Sequence, residues 1–276
     1  MKIKIILSVC VSLGWSALAG EPFTQSKFTD VIKDVNVVAA DTKAATPAAV
    51  RAVVKAPDLV RTGPASRAEL TASDQTITRI GANTVFSFEP NSRTVNLEQG
   101  SVLFHAPKGK GGGTIKSGGA SAAVLGTTVI CVKGADGTFK TILLEGEVKV
   151  TLANGKTVTL HDGQMVIVSA DGKQLSQIYD INLENIAGGA LVNGFSHPLD
   201  SWPLIAKAIR KQKRLLASGK GSDGGSGFGN TNQLDNNTYQ TLVPPSFNNG
   251  GQGSQQNPGG VVGPPFIPGG GRGNLP

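Results

Sequence analysis

Cysteine is nearly absent from this 276-residue chain, which contains only two. Cys10 lies in an apolar N-terminal run and is too poorly flanked to indicate a lipoprotein. If that run is removed, Cys131 is the only cysteine, so no internal disulfide can form and packing must stabilise the fold. Cys131 stands between Ile130 and Val132. A lone cysteine in such a context is predicted to be a small buried hydrophobic residue rather than a nucleophile.

Histidine and acidic residues are also scarce, with three histidines and 19 Asp and Glu residues. His105, His161 and His197 lack metal-ligand spacing, so no metal or other cofactor is predicted. Glu145 and Glu147 occupy alternate positions that usually face solvent, and they do not indicate a glycosidase pair. No serine elbow or cysteine-histidine couple is apparent. The sequence therefore predicts a binding protein and not an enzyme.

The only long apolar run lies at the N-terminus, where Lys2 and Lys4 open the chain. The run starts at Ile5 and ends in Ala17-Leu18-Ala19, a small-x-small pattern that signal peptidase cuts. These features predict a signal peptide over residues 1–19, and the run is too short to span a membrane comfortably. The mature protein is expected in the periplasm or outside the cell.

The formal charge of the full chain is +7. Removal of Lys2 and Lys4 with the signal peptide leaves 7 − 2 = +5. A basic protein favours acidic partners or surfaces. Because the chain is predicted to be exported, we expect no nucleic acid partner. Anionic lipid, polysaccharide or an acidic protein of the envelope fits better.

Residues 20–180 carry the signature of an all-β domain, rich in Val, Ile, Thr and Leu. Residues 76–80 and 147–151 alternate between polar and apolar types, so each segment should bury one face only. Pairs such as Asp136-Gly137 and Asn154-Gly155 suit tight hairpin turns. About a dozen strands are predicted in a single all-β unit.

A repeated pattern, Leu-x-x-Gly followed by apolar residues two and four positions later, recurs within this region. Its glycines are Gly100, Gly146 and Gly163, which we predict to be turn glycines between inward-facing strands. The repeat indicates stacked β-hairpins, arranged either as a sandwich or as a short solenoid-like coil. Both arrangements fit the pattern.

Residues 181–217 are predicted to form a linker and a short amphipathic helix. Ser201 suits its N-cap and Pro203 its first turn. Trp202, Ile205, Ile209 and Leu216 share one apolar face, and Trp202 and Ile205 should dock on the β domain. The opposite face carries the cations Lys207, Arg210, Lys211, Lys213 and Arg214.

Two interpretations of the basic face remain open, a solvated surface or a binding site for an anionic membrane or acidic partner. Residues 218–276 are dominated by Gly, Asn, Gln, Ser and Pro, which predicts a disordered tail.

A glycine-rich stretch over residues 108–114 superficially suggests a phosphate-binding loop. It lacks the Gly-Lys-Ser/Thr ending and a following helix. A mobile hairpin loop is therefore predicted, and it could present Lys108 and Lys110 to an anionic partner.

An ordered series of fragments in the strand-rich region resembles the FecR domain family. Val60–Leu70 looks like the opening element of that family, and Thr78–Phe88 follows at the expected place. The series continues with Val95–Phe104, Val124–Val129, Leu143–Val148 and Leu160–Gln164. Each fragment alone is a common string, but their order is specific.

The resemblance implies an envelope domain that recognises another protein. Members of the family typically receive a signal from a TonB-dependent outer-membrane receptor and control an extracytoplasmic-function sigma factor through a cytoplasmic segment. Here a cleavable signal peptide is expected in place of the internal membrane anchor. We therefore expect a non-catalytic binding or scaffold protein for an envelope protein or polysaccharide. The alternatives are a signalling regulator that acts with a separate membrane partner, or a polysaccharide-binding surface protein.

Overall fold

A computed structural model of the protein describes residues 21–221. The predicted signal peptide lies outside the described residues, as does nearly all of the predicted tail. The all-β prediction is confirmed, because strands dominate the described residues and three helices follow them.

Seventeen strands and three helices are present between residues 21 and 221. The first nine strands are β1 (Gln25–Ile32), β2 (Val35–Val38), β3 (Ala45–Pro47), β4 (Val53–Lys55), β5 (Leu59–Thr62), β6 (Arg67–Ala72), β7 (Ile77–Ile80), β8 (Val85–Phe88) and β9 (Thr94–His105). The remaining eight are β10 (Gly113–Ser117), β11 (Ala120–Val124), β12 (Thr128–Lys133), β13 (Phe139–Glu145), β14 (Glu147–Leu152), β15 (Thr157–His161), β16 (Gln164–Val168) and β17 (Tyr179–Asp180). The helices are α1 (Leu183–Ala187), α2 (Ala190–Asn193) and α3 (Trp202–Ala217).

The strands form two layers, which settles the choice between sandwich and solenoid in favour of a sandwich. Sheet A has the order β4-β1-β6-β7-β9-β12-β13-β16-β17, and all its pairs are antiparallel. Sheet B has the order β3-β2-β5-β8-β9-β10-β11-β14-β15. Strand β9 pairs in parallel with β10, and it is the fifth of nine described strands in both sheets.

Strand β9 belongs to both sheets because it bends at Gly100. Its first half pairs with β8 and β10 in sheet B, and its second half pairs with β7 and β12 in sheet A. Gly100 has φ +87°, and a Cβ atom there would lie 2.6 Å from Thr84 Cα. Only glycine combines that dihedral with so close an approach of a neighbouring backbone.

The hairpin-turn interpretation of Gly100, Gly146 and Gly163 is wrong. All three have positive φ angles, as turn glycines do. However, Gly146 joins β13 of sheet A to β14 of sheet B, and Gly163 joins β15 of sheet B to β16 of sheet A. The repeated glycines therefore mark corners between sheets. The hairpins lie between these corners, as in β12–β13 and β14–β15.

The main core fills the space between the sheets and has a phenylalanine cluster near the start of the chain. Phe23 packs against Phe88 and Phe104 at ring-centroid distances of 5.8 and 6.0 Å. Phe86 meets Phe88 edge to face at 5.2 Å. Cys131 is fully buried in the same core, as predicted. Aromatic pairs in such geometries add to the stability that burial provides.

Sheet A is covered on both faces, so the prediction that residues 76–80 bury one face only is wrong. Ile80 faces the core between the sheets, whereas Ile77 belongs to a second apolar cluster beneath the helices. That cluster joins outward residues of sheet A to apolar residues of the three helices. Strand β14 in sheet B keeps the predicted alternation, with Val148 buried and Lys149 exposed.

Arg79 fastens the helical segment to sheet A, and its side chain is fully buried. Its Nε donates to Glu69 Oε2 at 2.7 Å, Nη1 donates to the Val192 carbonyl at 2.5 Å, and Nη2 donates to the His197 carbonyl at 2.6 Å. The guanidinium also lies 4.5 Å from the ring centroid of Phe195. Burial lowers the pKa of Arg79, and the hydrogen bond and charge of Glu69 oppose that shift.

Asp30 makes a second tie to the same segment. Its Oδ2 accepts hydrogen bonds from the backbone N–H and the hydroxyl of Ser196, both at 2.8 Å. Desolvation alone would raise the pKa of Asp30, but the hydrogen bonds from Ser196 and the Val31 backbone, with the charge of His197, together lower it. Hydrogen bonds to a charged acceptor are stronger than neutral ones, so the segment around α2 is held firmly.

We expect Arg79→Met to destabilise the protein by about 3–5 kcal/mol, because it leaves Glu69 buried without its cation. Urea denaturation followed by circular dichroism measures the loss. The double variant Arg79→Met/Glu69→Gln should recover part of it, since the uncompensated charge is then removed. Wild-type stability in the single variant contradicts the assignment of Arg79 as the main tie.

The bend in β9 predicts a large difference between two glycines with similar φ angles. Gly100→Ala is expected to cost about 3 kcal/mol or more, because dihedral strain and overpacking combine. Gly155 has φ +84°, but a Cβ atom added there would meet nothing within 4 Å. Gly155→Ala should therefore cost only about 1–2 kcal/mol. Equal losses in urea denaturation contradict the steric requirement at Gly100.

Candidate functional site

Helix α3 starts where the sequence predicts, after Ser201 and with Pro203 in its first turn. Its buried face differs from the prediction. Ile205 is fully buried and Ala208 nearly so, but Trp202 is 37% exposed. Ile205, as predicted, and Ala208 belong to the apolar cluster beneath the helices, and Ile209 packs against it, whereas Trp202 is not among the residues of that cluster.

Polar contacts orient α3 on the domain. Gln212 Nε2 donates to the Ile181 carbonyl at 2.7 Å, and its Oε1 accepts from the Leu183 N–H at 3.1 Å. Lys211 Nζ lies 3.5 Å from Asp162 Oδ2, and Lys213 Nζ lies 2.8 Å from Glu184 Oε2. Surface ion pairs contribute little energy, but together these contacts define the orientation of α3.

Three cations of α3 point away from the domain. Lys207, Arg210 and Arg214 are exposed, and within residues 21–221 no carboxylate lies within 4.0 Å of their charged atoms. Residues three and four positions apart share a helix face. The three residues, which we call the basic stripe, extend over about 10 Å of helix length.

The five predicted cations of α3 therefore divide into two groups. Lys211 and Lys213 are exposed but paired with acidic residues of the same chain, whereas the basic stripe is unpaired among the described residues. Binding by any of the five stays a prediction. Sequence could not make this division, because Asp162 and Glu184 approach α3 only in the folded chain.

Lys108 and Lys110 are exposed in the segment between β9 and β10. Because β9 and β10 are parallel, this segment is a crossover from sheet A to sheet B and not the predicted hairpin loop. The charge of Lys108 acts on Glu145, near the start of α3. The binding role of the two lysines also stays a prediction.

A buried polar network lies beneath the N-terminus of α3. Thr128 Oγ1 is 2.8 Å from Glu145 Oε1, 2.8 Å from Ser201 Oγ and 3.0 Å from His105 Nδ1. All four residues are buried. The expectation that Glu145 faces solvent is wrong, although Glu147 is exposed as expected. Only one feature of the sequence was relevant to the burial of Glu145. This residue ends β13, a strand of sheet A that is buried on both faces.

Burial controls the charge of this network. Desolvation raises the pKa of Glu145, against the opposing hydrogen bond from Thr128. Desolvation also lowers the pKa of His105. Both shifts favour the neutral forms. The network is closed to solvent, so its evident role is to hold Ser201 and the start of α3 against sheet A.

The remaining chemistry-bearing side chains are dispersed. The part of the chain that the structure describes contains no group of three or more His, Cys, Asp or Glu residues that could hold a metal ion. His161 is exposed, and its Nδ1 lies 3.8 Å from Glu147 Oε2. Burial raises the pKa of Cys131 to about 12, so its thiol is protonated and inert.

An open cleft of about 600 Å³ lies at one end of the sandwich, beside the β10–β11 hairpin. Lys116 and Lys133 line it, together with the apolar residues Leu97 and Leu152. Lys116 pairs with Glu89, and Lys133 donates to the Gly137 carbonyl. Both lysines therefore already have partners within the chain.

None of the helices within residues 21–221 has the length and apolar character needed to cross a membrane.

Comparison with known proteins gives one family match. The family model described as FecR protein matches residues 58–149, which run from the residue before β5 into β14. Residues 58–149 are similar to the FecR family. The matched range contains β9, Lys108, Lys110 and Glu145, whereas β15 and α3 lie beyond it. No curated protein matches the chain significantly.

Two solved structures are similar, both of a candidate anti-sigma factor from Parabacteroides distasonis. Each is 18% identical to this chain, with TM-scores of 0.43 and 0.41. The alignments cover 49% and 56% of this chain, and 64% and 75% of those chains. This chain therefore spans less than two thirds of the first of those chains.

The buried network predicts a pH-dependent effect of Glu145→Gln. The pKa of Glu145 is higher in the folded than in the unfolded state. Its contribution to stability is therefore fully present below the unfolded pKa and is lost as the pH rises through the folded pKa. Glu145→Gln should therefore stabilise the protein at pH 7 and change little at pH 4. Thermal unfolding at both pH values measures this. A loss of stability at pH 7 contradicts the assignment.

Proposed function

We propose that this protein is an exported, non-catalytic FecR-domain scaffold of the cell envelope that binds an acidic partner protein through the basic stripe. The observation that carries the proposal is the orientation of α3. Its buried face and polar contacts fix the helix on sheet A, and Lys207, Arg210 and Arg214 are left to solvent without an acidic neighbour among the described residues.

A rigidly held row of cations suits protein recognition. Arginine binds carboxylates through two parallel hydrogen bonds, which requires a defined geometry that a fixed helix provides. Complementary charge also speeds association and selects the correct partner. Periplasmic or extracellular location supplies the setting, and it rests on the predicted signal peptide.

An acidic protein fits the stripe better than a membrane surface does. Interfacial helices insert a broad apolar face next to their cations. In α3, Ile205 and Ala208 are instead buried in the apolar cluster on sheet A, and Ile209 packs against it. The exposed large apolar side chains of α3 are Trp202, Leu204 and Leu215, at 37%, 40% and 39%, and they are divided between the two ends of the helix. A role in receptor-coupled sigma-factor signalling is compatible with this proposal if the acidic partner is a component of that system.

The triple variant Lys207→Glu/Arg210→Glu/Arg214→Glu tests the proposal. The mature chain should capture an acidic envelope protein from extracts of its own organism, and the triple variant should lose it by tenfold or more, about 1.4 kcal/mol. Capture is quantified by mass spectrometry, and binding of the recovered, purified protein is then measured by calorimetry.

A matched control carries Lys43→Glu, Lys55→Glu and Lys149→Glu, three exposed lysines outside the helical layer, and has the same net charge. The control should bind like wild type. Equal losses in both variants show a dependence on net charge alone and contradict a site on α3. A different outcome would contradict an acidic protein as the ligand: no protein is captured, and the wild-type chain co-sediments with phosphatidylglycerol vesicles whereas the triple variant does not. The basic stripe would then bind a membrane surface.

A further inference from the structure

The edges of the two sheets differ in how well they are protected. An exposed edge strand offers unpaired backbone groups to other chains, and proteins usually shorten, charge or interrupt it. Three of the four described edges are short: β4 has three residues and includes Lys55, β3 has three residues and includes Pro47, and β17 has two residues. These edges are poor templates for another strand.

Strand β15 is the exception. It has five residues, Thr-Val-Thr-Leu-His, with no proline, lysine or carboxylate, and it pairs only with β14 in the described chain. Thr157, Thr159 and His161 are exposed, whereas Leu160 is buried. The strand thus combines high β-propensity with an open edge.

The ladder shows which backbone groups are open. The Leu152 N–H donates to the Lys156 carbonyl, and the β14–β15 register pairs Val150 with Val158. In an antiparallel ladder, hydrogen-bonded residues alternate. Residues 156, 158 and 160 therefore bond to β14, and residues 157, 159 and 161 direct their backbone groups outward. The His161 N–H is already satisfied by Gln164 Oε1 at 3.0 Å.

We propose that β15 is a self-association edge, where a second copy of this chain adds its own β15 in antiparallel register about Thr159. Thr159 then forms a hydrogen-bonded pair with its symmetry mate, which continues sheet B across the two copies. Val158 comes opposite Leu160 of the other copy on the core side. Threonine pairs directly opposite each other are favourable in antiparallel sheets.

Charge complementarity supports a second copy as the occupant. In this register Lys156 of one copy lies opposite Asp162 of the other, and the two-fold axis repeats the contact. Lys156 is exposed, and the Asp162 side chain is 27% exposed. Asp162 Oδ1 accepts from the Gly146 N–H at 2.8 Å and Oδ2 lies 3.5 Å from Lys211 Nζ, so Lys156 of the other copy would be a second cation beside this carboxylate. No pair of like charges falls opposite another between residues 156 and 162 in this register.

The arrangement also has a consequence for the helices. A two-fold axis perpendicular to sheet B leaves both copies of sheet A, with their helical layers, on the same side of the assembly. The two basic stripes would then face one partner surface together. The interface itself is small, so the association should be weak and strongly dependent on concentration.

Thr159→Pro tests the edge. Because the Thr159 N–H points away from β14, proline removes an outward donor without removing a bond of the β14–β15 ladder. The mature wild-type chain should approach twice its monomer mass with rising concentration in analytical ultracentrifugation. Thr159→Pro should weaken this association by about tenfold or more, since both copies lose a donor.

Thr159→Val keeps the backbone donor and should associate like wild type. Lys156→Glu, which sets a carboxylate opposite Asp162, should weaken association, whereas the exposed control Lys43→Glu should not. Hydrogen exchange should slow at Thr159 as the concentration rises. A wild-type chain that stays monomeric, or a dimer that Thr159→Pro and Lys156→Glu leave intact, overturns the proposal. Neither outcome bears on the basic stripe, which is tested separately.

Discussion

The bend of β9 at Gly100 is the constraint on which the sandwich depends. One strand is central in both sheets, so strands β1–β8 lie on one side of it and strands β10–β17 on the other. A side chain at position 100 would overlap Thr84 at the point where the two sheets part. The two layers are therefore held together through the backbone as well as by the apolar core between them.

The second determinant is the helical layer, which turns sheet A into a doubly buried sheet. Apolar contacts provide most of the driving force, and the Arg79–Glu69 pair with its bonds to backbone carbonyls fixes where the segment lies. A buried ion pair is weak evidence for stability but suits a positioning role. This pair on β6 and β7 holds the segment around α2, and the contacts of Gln212, Lys211 and Lys213 orient α3.

The two proposed surfaces use different physical principles. The basic stripe consists of side-chain charges that a docked helix holds in place, and it suits an acidic partner. The β15 edge consists of backbone donors and acceptors left open at the end of a sheet. Both proposed surfaces lie in the C-terminal part of this chain, beyond the residues that match the FecR family.

The sequence by itself determined the all-β class, the FecR resemblance, the buried Cys131 and the start of α3, because alternation, turn glycines and capping residues are local signals. Tertiary structure alone decided that Gly100, Gly146 and Gly163 are corners between sheets, that Glu145 is buried and that Trp202 stays 37% exposed while Ala208 is buried. These features depend on which distant segment covers a given face of a strand or helix. Short-range sequence patterns do not show contacts between residues that are far apart in the chain.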